Sequence, residues 1–193
     1  MPGDRSGASD VGHASGPATA PDGIAALIEA WIRDVPDYPQ PGIVFKDITP
    51  LLADGPAFAS VVSAMATGNE GVTRVAGIEA RGFILAAPVA YVLGAGFVPV
   101  RKQGKLPAAT YAESYELEYG QATLEVHADA FDASDRVLIV DDVLATGGTA
   151  AATAELIRRT GATVAGIVVL LELGFLSGRA KLPGLDVRSL LAV

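Results

Sequence analysis

Val137-Leu138-Ile139-Val140-Asp141-Asp142-Val143-Leu144-Ala145-Thr146-Gly147-Gly148-Thr149 is the stretch that decides the fold of this chain. Arg136 to Val140 is an apolar strand after its first residue, the pattern of a strand buried on both faces. Two adjacent carboxylates close it. A short turn with two glycines follows, and a helix is expected from about Thr149 to Arg159. In open α/β sheets ligands bind at the carboxyl ends of the strands, so this turn lies in the expected site. The backbone N–H groups from Ala145 to Thr149 are free at a helix start and can cradle a phosphate monoester, with the Thr146 and Thr149 hydroxyls adding donors. Gly147 and Gly148 let the backbone come close. Asp141 and Asp142 accept hydrogen bonds from sugar hydroxyls. Carboxylates repel phosphate, so the best ligand carries phosphate at one end and hydroxyls a few ångströms away. No lysine follows the glycines, so this is not a Walker A loop.

Outward from this stretch the chain alternates strands and helices. Thr73 to Ile78, Phe97 to Val100, Val164 to Leu171 and Val187 to Leu191 read as buried strands. Phe83 to Leu93 reads as a helix, as do segments around Ile24, Leu27, Ile28, Trp31 and around Phe58, Val61, Val62, Met65. Asp22 is the expected N-cap of the first helix. Pro36, Pro39 and Pro41 make 34–42 an extended or turning loop. Thr110 to His127 alternates apolar and polar residues around Gly120-Gln121, which predicts a β-hairpin inserted in the framework. The expected fold class is therefore α/β, a mostly parallel central sheet flanked by helices. Residues 1–21, rich in Gly, Ser, Ala, Pro and Asp, read as a disordered tail, and 22–193 as a single domain.

Composition narrows the function. The 193 residues are half hydrophobic with a formal net charge of -8, a poor match to nucleic acid, where basic patches dominate affinity. No cysteine is present, which excludes disulfides, thiolate zinc sites and a cysteine nucleophile. With only His13 and His127, a histidine-based triad or metal site is not expected. No apolar run reaches the roughly 18–20 residues of a membrane span. No secretory signal is evident, so the expected compartment is the cytoplasm. The cations are concentrated: Arg81 follows one strand, and Arg101, Lys102 and Lys105 follow the next, on the edge that carries Asp141. Several cations on one edge suit a pyrophosphate group.

The 137–149 stretch resembles the signature for 5-phosphoribosyl 1-pyrophosphate (PRPP) in type I phosphoribosyltransferases. Val35 to Pro50, Glu79-Ala80-Arg81-Gly82-Phe83, Arg101-Lys102-Gln103-Gly104-Lys105-Leu106-Pro107 and Leu117-Glu118-Tyr119-Gly120 are similar, in order, to motifs of the adenine phosphoribosyltransferases. The resemblance runs from about residue 24 to the C-terminus. It implies the type I phosphoribosyltransferase fold, with a small N-terminal hood contributed mainly by 22–50 and a flexible loop at the hairpin.

Its functional implication is transfer of phosphoribose from PRPP to adenine, giving AMP and pyrophosphate, with Mg²⁺ accompanying PRPP rather than bound directly by the protein. It also implies a homodimer, with neither nucleic acid nor membrane as partner. By the same resemblance Asp141, Asp142 and Ala145 to Thr149 hold ribose and its 5-phosphate. Arg81, Arg101, Lys102, Lys105 and Tyr119 meet pyrophosphate, Glu118 and Arg81 serve the chemical step, and the Glu79–Ala80 peptide is cis. Phe45 stacks on the purine, the backbone of Val44 and Lys46 reads its edge, and Leu173 closes the pocket. The family commonly has arginine where Lys46 stands, a change that a backbone role tolerates. A phosphoribosyltransferase for another base such as xanthine, a non-catalytic PRPP-sensing regulator and a PRPP-making pyrophosphokinase are the competing readings.

Overall fold

The computed structural model describes residues 23–116 and 120–193. In chain order these form α1 (Ile24–Trp31), β1 (Arg33–Pro36), β2 (Val44–Asp47), α2 (Thr49–Ala53), α3 (Gly55–Ala66), β3 (Arg74–Ile78), α4 (Arg81–Leu93), β4 (Gly96–Lys102), β5 (Thr110–Glu116), β6 (Gln121–His127), β7 (Arg136–Leu144), α5 (Gly148–Arg159), β8 (Thr163–Glu172) and β9 (Val187–Ala192). Two 3₁₀ turns, Gly174–Leu176 and Gly178–Lys181, connect β8 to β9. Expectations placed on residues 1–22 and 117–119 lie outside the described residues. These include the tail, the Asp22 cap and the roles of Glu118 and Tyr119. The residue at the N-cap of α1 is Gly23, which makes no side-chain cap.

The main sheet has seven strands in the order β5-β6-β4-β3-β7-β8-β9. β4, β3, β7, β8 and β9 run parallel, β6 runs antiparallel to β4, and β5, antiparallel to β6, again points the same way as the parallel strands. The inserted hairpin prolongs the sheet through the pairs Arg101↔Glu125 and Lys102↔Leu124. Its alternation is imperfect. Glu125 falls on the expected polar face yet is buried, because its carboxylate accepts the Gly104 N–H at 2.9 Å. Both faces of the central strands are covered, as their apolar runs require. Ile28, Leu51, Val61, Met65, Leu85 and Val89 pack with Leu138 and Val140 on one face. Leu156 and Ile157 of α5 pack with Val137, Ile139 and Ile167 on the other. Arg188 of β9 donates to the Ala64 and Met65 carbonyls at 3.1 and 2.8 Å, satisfying the C-terminal end of α3 and fixing it to the sheet edge.

The proline-rich segment is a hairpin with a turn, not simply a loop. β1 pairs antiparallel with β2, forming a small separate sheet. Opposite charges face each other across it: Arg33 bonds Asp47 at 2.6 Å and Lys46 bonds Asp34 at 2.7 Å. Such cross-strand pairs help to set register. Asp47 also accepts the Thr49 N–H and hydroxyl, which ends the strand and starts α2.

Leu138 is fully buried beneath the site, so Leu138→Ala is expected to cost about 2–5 kcal/mol of stability. A urea titration reads this as a lowered midpoint, and an unchanged midpoint would contradict the packing described.

Candidate functional site

The site is made where neighbouring strands differ in length. Pairing of β3 with β7 stops at Gly77↔Val140, whereas pairing of β7 with β8 continues to Leu144↔Glu172. The acids therefore lie within β7, which runs through Leu144, rather than at its end as the apolar run suggested. From Asp141 onward one side of β7 has no strand partner in β3. The first turn of α4 packs there instead: a Cβ added to Gly82 would stand 2.7 Å from Asp141 Oδ1 and 3.1 Å from the Val140 carbonyl oxygen. Only glycine allows that approach.

Burial, then the neighbouring Asp142 carboxylate, push the Asp141 carboxyl well above its ordinary value, although it accepts the Asp142 N–H at 2.9 Å. Asp142 is buried and its Oδ2 lies 2.6 Å from Arg81 Nε. That contact is an ion pair without hydrogen-bond alignment, and Oδ2 has no hydrogen-bond donor among the described residues. Arg81 also stands over the Phe45 ring, its Cζ 4.9 Å from the centroid. Cation–π attraction of this kind contributes roughly 0.5–2 kcal/mol. One side chain thus joins the small sheet, the start of α4 and the acids of β7.

Beyond β7 the chain turns tightly. Gly147 has φ +78° and is the N-cap residue of α5, with no side-chain cap. No N–H from Ala145 to Thr149 donates to another described residue outside regular pairing. Gly148 meets Tyr115 of the hairpin: a Cβ there would be 3.0 Å from the ring. The hairpin is held to the other end of α5 by Arg159, which pairs with Glu113 and donates to the Ala112 carbonyl at 2.9 Å.

The expected cations do gather on this edge, and an acid missing from the predicted set organises them. Glu79 pairs with Lys105 and Arg101 and accepts the Lys102 N–H at 3.0 Å. Burial alone would raise its carboxyl, but Lys105, the Lys102 N–H and Arg101 outweigh that and hold it below the usual range. Arg101 and Lys105 are thus occupied by Glu79 rather than free. The signal was present in the sequence, since an acid directly precedes Ala80-Arg81 where a strand gives way to a helix. The Glu79–Ala80 peptide is cis, as expected.

Phe45 is half-buried and meets Tyr38 edge-on at 5.2 Å. Val44 is exposed beside it, and the Lys46 ammonium is turned to Asp34. Leu173 follows β8, and its N–H donates to the Leu144 carbonyl at 2.9 Å. Among the described residues no group of three or more histidines, aspartates or glutamates is arranged to hold a metal.

The phosphoribosyl transferase domain family matches residues 52–181. The adenine phosphoribosyltransferase of Streptomyces coelicolor is 64% identical over 166 residues, covering 85% of this chain and 91% of that protein. The crystal structure of adenine phosphoribosyltransferase from Thermoanaerobacter pseudethanolicus is similar at a TM-score of 0.83 and 52% identity, over 86% of this chain and 98% of that one. The Saccharomyces cerevisiae enzyme, solved in complex with D-2,5-dideoxy-2,5-imino-altritol 1,6-bisphosphate and adenine, is similar at a TM-score of 0.83 and 36% identity, over 87% and 98% of the two chains.

Because the folded-state value of Asp141 is raised, stability is greatest below its ordinary value of 3.8 and is lost as pH rises toward the raised one. Asp141→Asn is therefore expected to raise the melting temperature of the ligand-free protein at pH 7, on the order of a few degrees. The gain should shrink as pH falls toward 4. A melting curve at each pH checks the sign.

Proposed function

The chain belongs to the adenine phosphoribosyltransferase family, and from that premise we propose how its residues carry out the reaction. The enzyme is a pentosyltransferase of purine salvage that transfers 5-phosphoribosyl from PRPP to N9 of adenine, giving AMP and pyrophosphate. The xanthine, regulator and pyrophosphokinase readings give way to this one. The observation that best supports the proposed site is the link from Phe45 through Arg81 to Asp142. It joins a candidate base site, a cation and the candidate sugar site.

The 5-phosphate sits on the N–H groups of Ala145 to Thr149, helped by the Thr146 and Thr149 hydroxyls and by the N-terminal end of α5. Asp141 and Asp142 accept the ribose hydroxyls. Arg81, Arg101, Lys102 and Lys105, with Tyr119, receive the pyrophosphate, which exchanges partners with Glu79 and Asp142. Adenine stacks on Phe45, with Leu173 closing the pocket. Its N1 accepts and its 6-amino group donates, so one backbone N–H and one C=O from Val44 and Lys46 complement it. Hypoxanthine and guanine present the opposite pattern and leave buried groups unpaired.

Adenine N9 forms a bond to the anomeric carbon as the bond from that carbon to pyrophosphate oxygen breaks. The electron pair leaves with pyrophosphate, and Glu118 takes the proton from the imidazole ring. Positive charge builds on ribose and negative charge on the leaving group, so these residues act by positioning and electrostatics. Mg²⁺, which favours oxygen ligands and keeps several waters, would accompany PRPP and would supply charge neutralisation at the pyrophosphate. The oxygen donors Asp141 and Asp142 suit its water shell. The hairpin strands and the loop before them would cover the substrates and exclude water. A homodimer accords with the exposed Ile84, Tyr91 and Val92 of α4, which a second copy would cover. We place the enzyme in the cytoplasm, consistent with a cysteine-free chain.

Incubation with adenine, PRPP and Mg²⁺ is expected to yield AMP, with hypoxanthine, guanine and xanthine used at least about a hundredfold less well. Equal use of hypoxanthine would overturn the backbone-reading proposal. Glu118→Ala is expected to keep PRPP affinity and lower kcat by roughly 10²–10⁴; unchanged turnover would dismiss its acid/base role. Asp142→Asn should raise the KM for PRPP, and normal kinetics would remove it from the ribose site.

A further inference from the structure

The turn at 145–149 is supported from behind by a segment to which no role has been assigned. A Cβ added to Gly178 would overlap the Ala145 carbonyl oxygen and stand 3.1 Å from the Gly147 nitrogen. Conversely, a Cβ added to Gly147 would overlap the Gly178 carbonyl oxygen and stand 3.3 Å from Gly178 Cα. Two backbones therefore touch directly, with no side chain between them, and each glycine is required by the other.

Gly178 is itself held firmly. Ser177 before it has φ +51°. Arg179 after it clasps Glu172 at the end of β8 with two bonds of 2.7 Å, Nε to Oε1 and Nη2 to Oε2. The same guanidinium donates to the Val187 carbonyl at 2.6 Å and to Ser189 Oγ at 3.3 Å, both on β9. Ser189 Oγ in turn donates to Glu172 Oε2 at 2.7 Å. A bidentate Arg–carboxylate pair fixes orientation as well as distance. The pairing raises Arg179 above its ordinary value and, led by the Arg179 bond, lowers Glu172. On the other side, Leu173 N–H bonds the Leu144 carbonyl, directly before the turn.

We propose that Gly178, held in place by the Arg179–Glu172–Ser189 cluster, is a positioning residue that sets the conformation of the phosphate-binding turn by direct backbone contact. This rests on the reading of 145–149 as the 5-phosphate site. A turn with a left-handed glycine, whose N–H groups meet no acceptor among the described residues, has no hydrogen bonds of its own to hold it in shape. The rigid abutment supplies that shape before the ligand arrives, which lowers the ordering cost of binding.

A phosphate held equally in ground and transition states affects KM rather than kcat. Gly178→Ala and Arg179→Gln are therefore expected to raise the KM for PRPP and the calorimetric Kd for ribose 5-phosphate by about tenfold or more, since small misplacements of this kind are costly. The KM for adenine and kcat should change little. Loss of folded enzyme would lower apparent kcat and leave KM for PRPP unmoved, so the split separates the two. Thr149→Ala serves as the reference for the phosphate site. If it weakens ribose 5-phosphate binding while folded Gly178→Ala and Arg179→Gln do not, the positioning role is wrong and the phosphate site stands. If Thr149→Ala has no effect either, the phosphate site itself is wrong. Should both substitutions at 178 and 179 prevent folding, amide exchange in the unaltered protein decides. Ribose 5-phosphate should slow exchange at 177–181 together with 145–149, and slowing confined to 145–149 would overturn the proposal.

Discussion

β7 outruns β3, and the candidate site depends on that difference. Where β3 stops pairing, the next residues of β7 retain β8 on one side and lose a strand on the other. The open side is filled by the first turn of α4, close enough that Gly82 can carry no side chain. A strand buried along its length would have no place for adjacent carboxylates, whose isolated burial is strongly unfavourable. At this step in the sheet Asp142 can reach Arg81, while Asp141 remains crowded by burial and by its neighbour. Hydroxyl groups that donate to both acids would offset that crowding.

Charge is arranged in the same manner across the edge. The chain is acidic overall, yet Arg81, Arg101 and Lys105 converge where β3 and β4 end beside the acids of β7. Each is matched by a carboxylate of the protein, Asp142 or Glu79. Unpaired clustered cations would repel one another and destabilise the fold, so internal partners keep the cluster compact without ligand. Binding of a pyrophosphate would then be an exchange of anions rather than a neutralisation of free charge.

Much of this was legible from local pattern. The aliphatic runs of β3, β7 and β8 announce a buried parallel sheet, and Gly147-Gly148 after paired acids announces a close-approach turn at a strand end. Phe45 and the cations could be picked out from resemblance and from their places after the strands. Other features escaped because they join residues far apart in sequence. Glu79 stands in a recognisable motif, but its partners Arg101 and Lys105 are fixed only when β4 brings them to it. The hairpin reads as an insertion, but its attachment to the sheet is set only by the register Arg101↔Glu125. Three prolines obscured β1 and β2, whose pairing is secured by cross-strand charge rather than apolar alternation.

The sequence by itself determined the layered α/β architecture, the glycine turn after the paired acids and the gathering of cations on one edge. These follow from periodicity, from residues with special backbone freedom and from short-range order along the chain. The tertiary structure alone decided how far β7 extends past β3, which acid meets which cation, and that Gly178 abuts Gly147. Those depend on the relative lengths and registers of strands and on contacts between distant segments. No local pattern encodes them, because a backbone meeting another backbone leaves only a glycine as its trace.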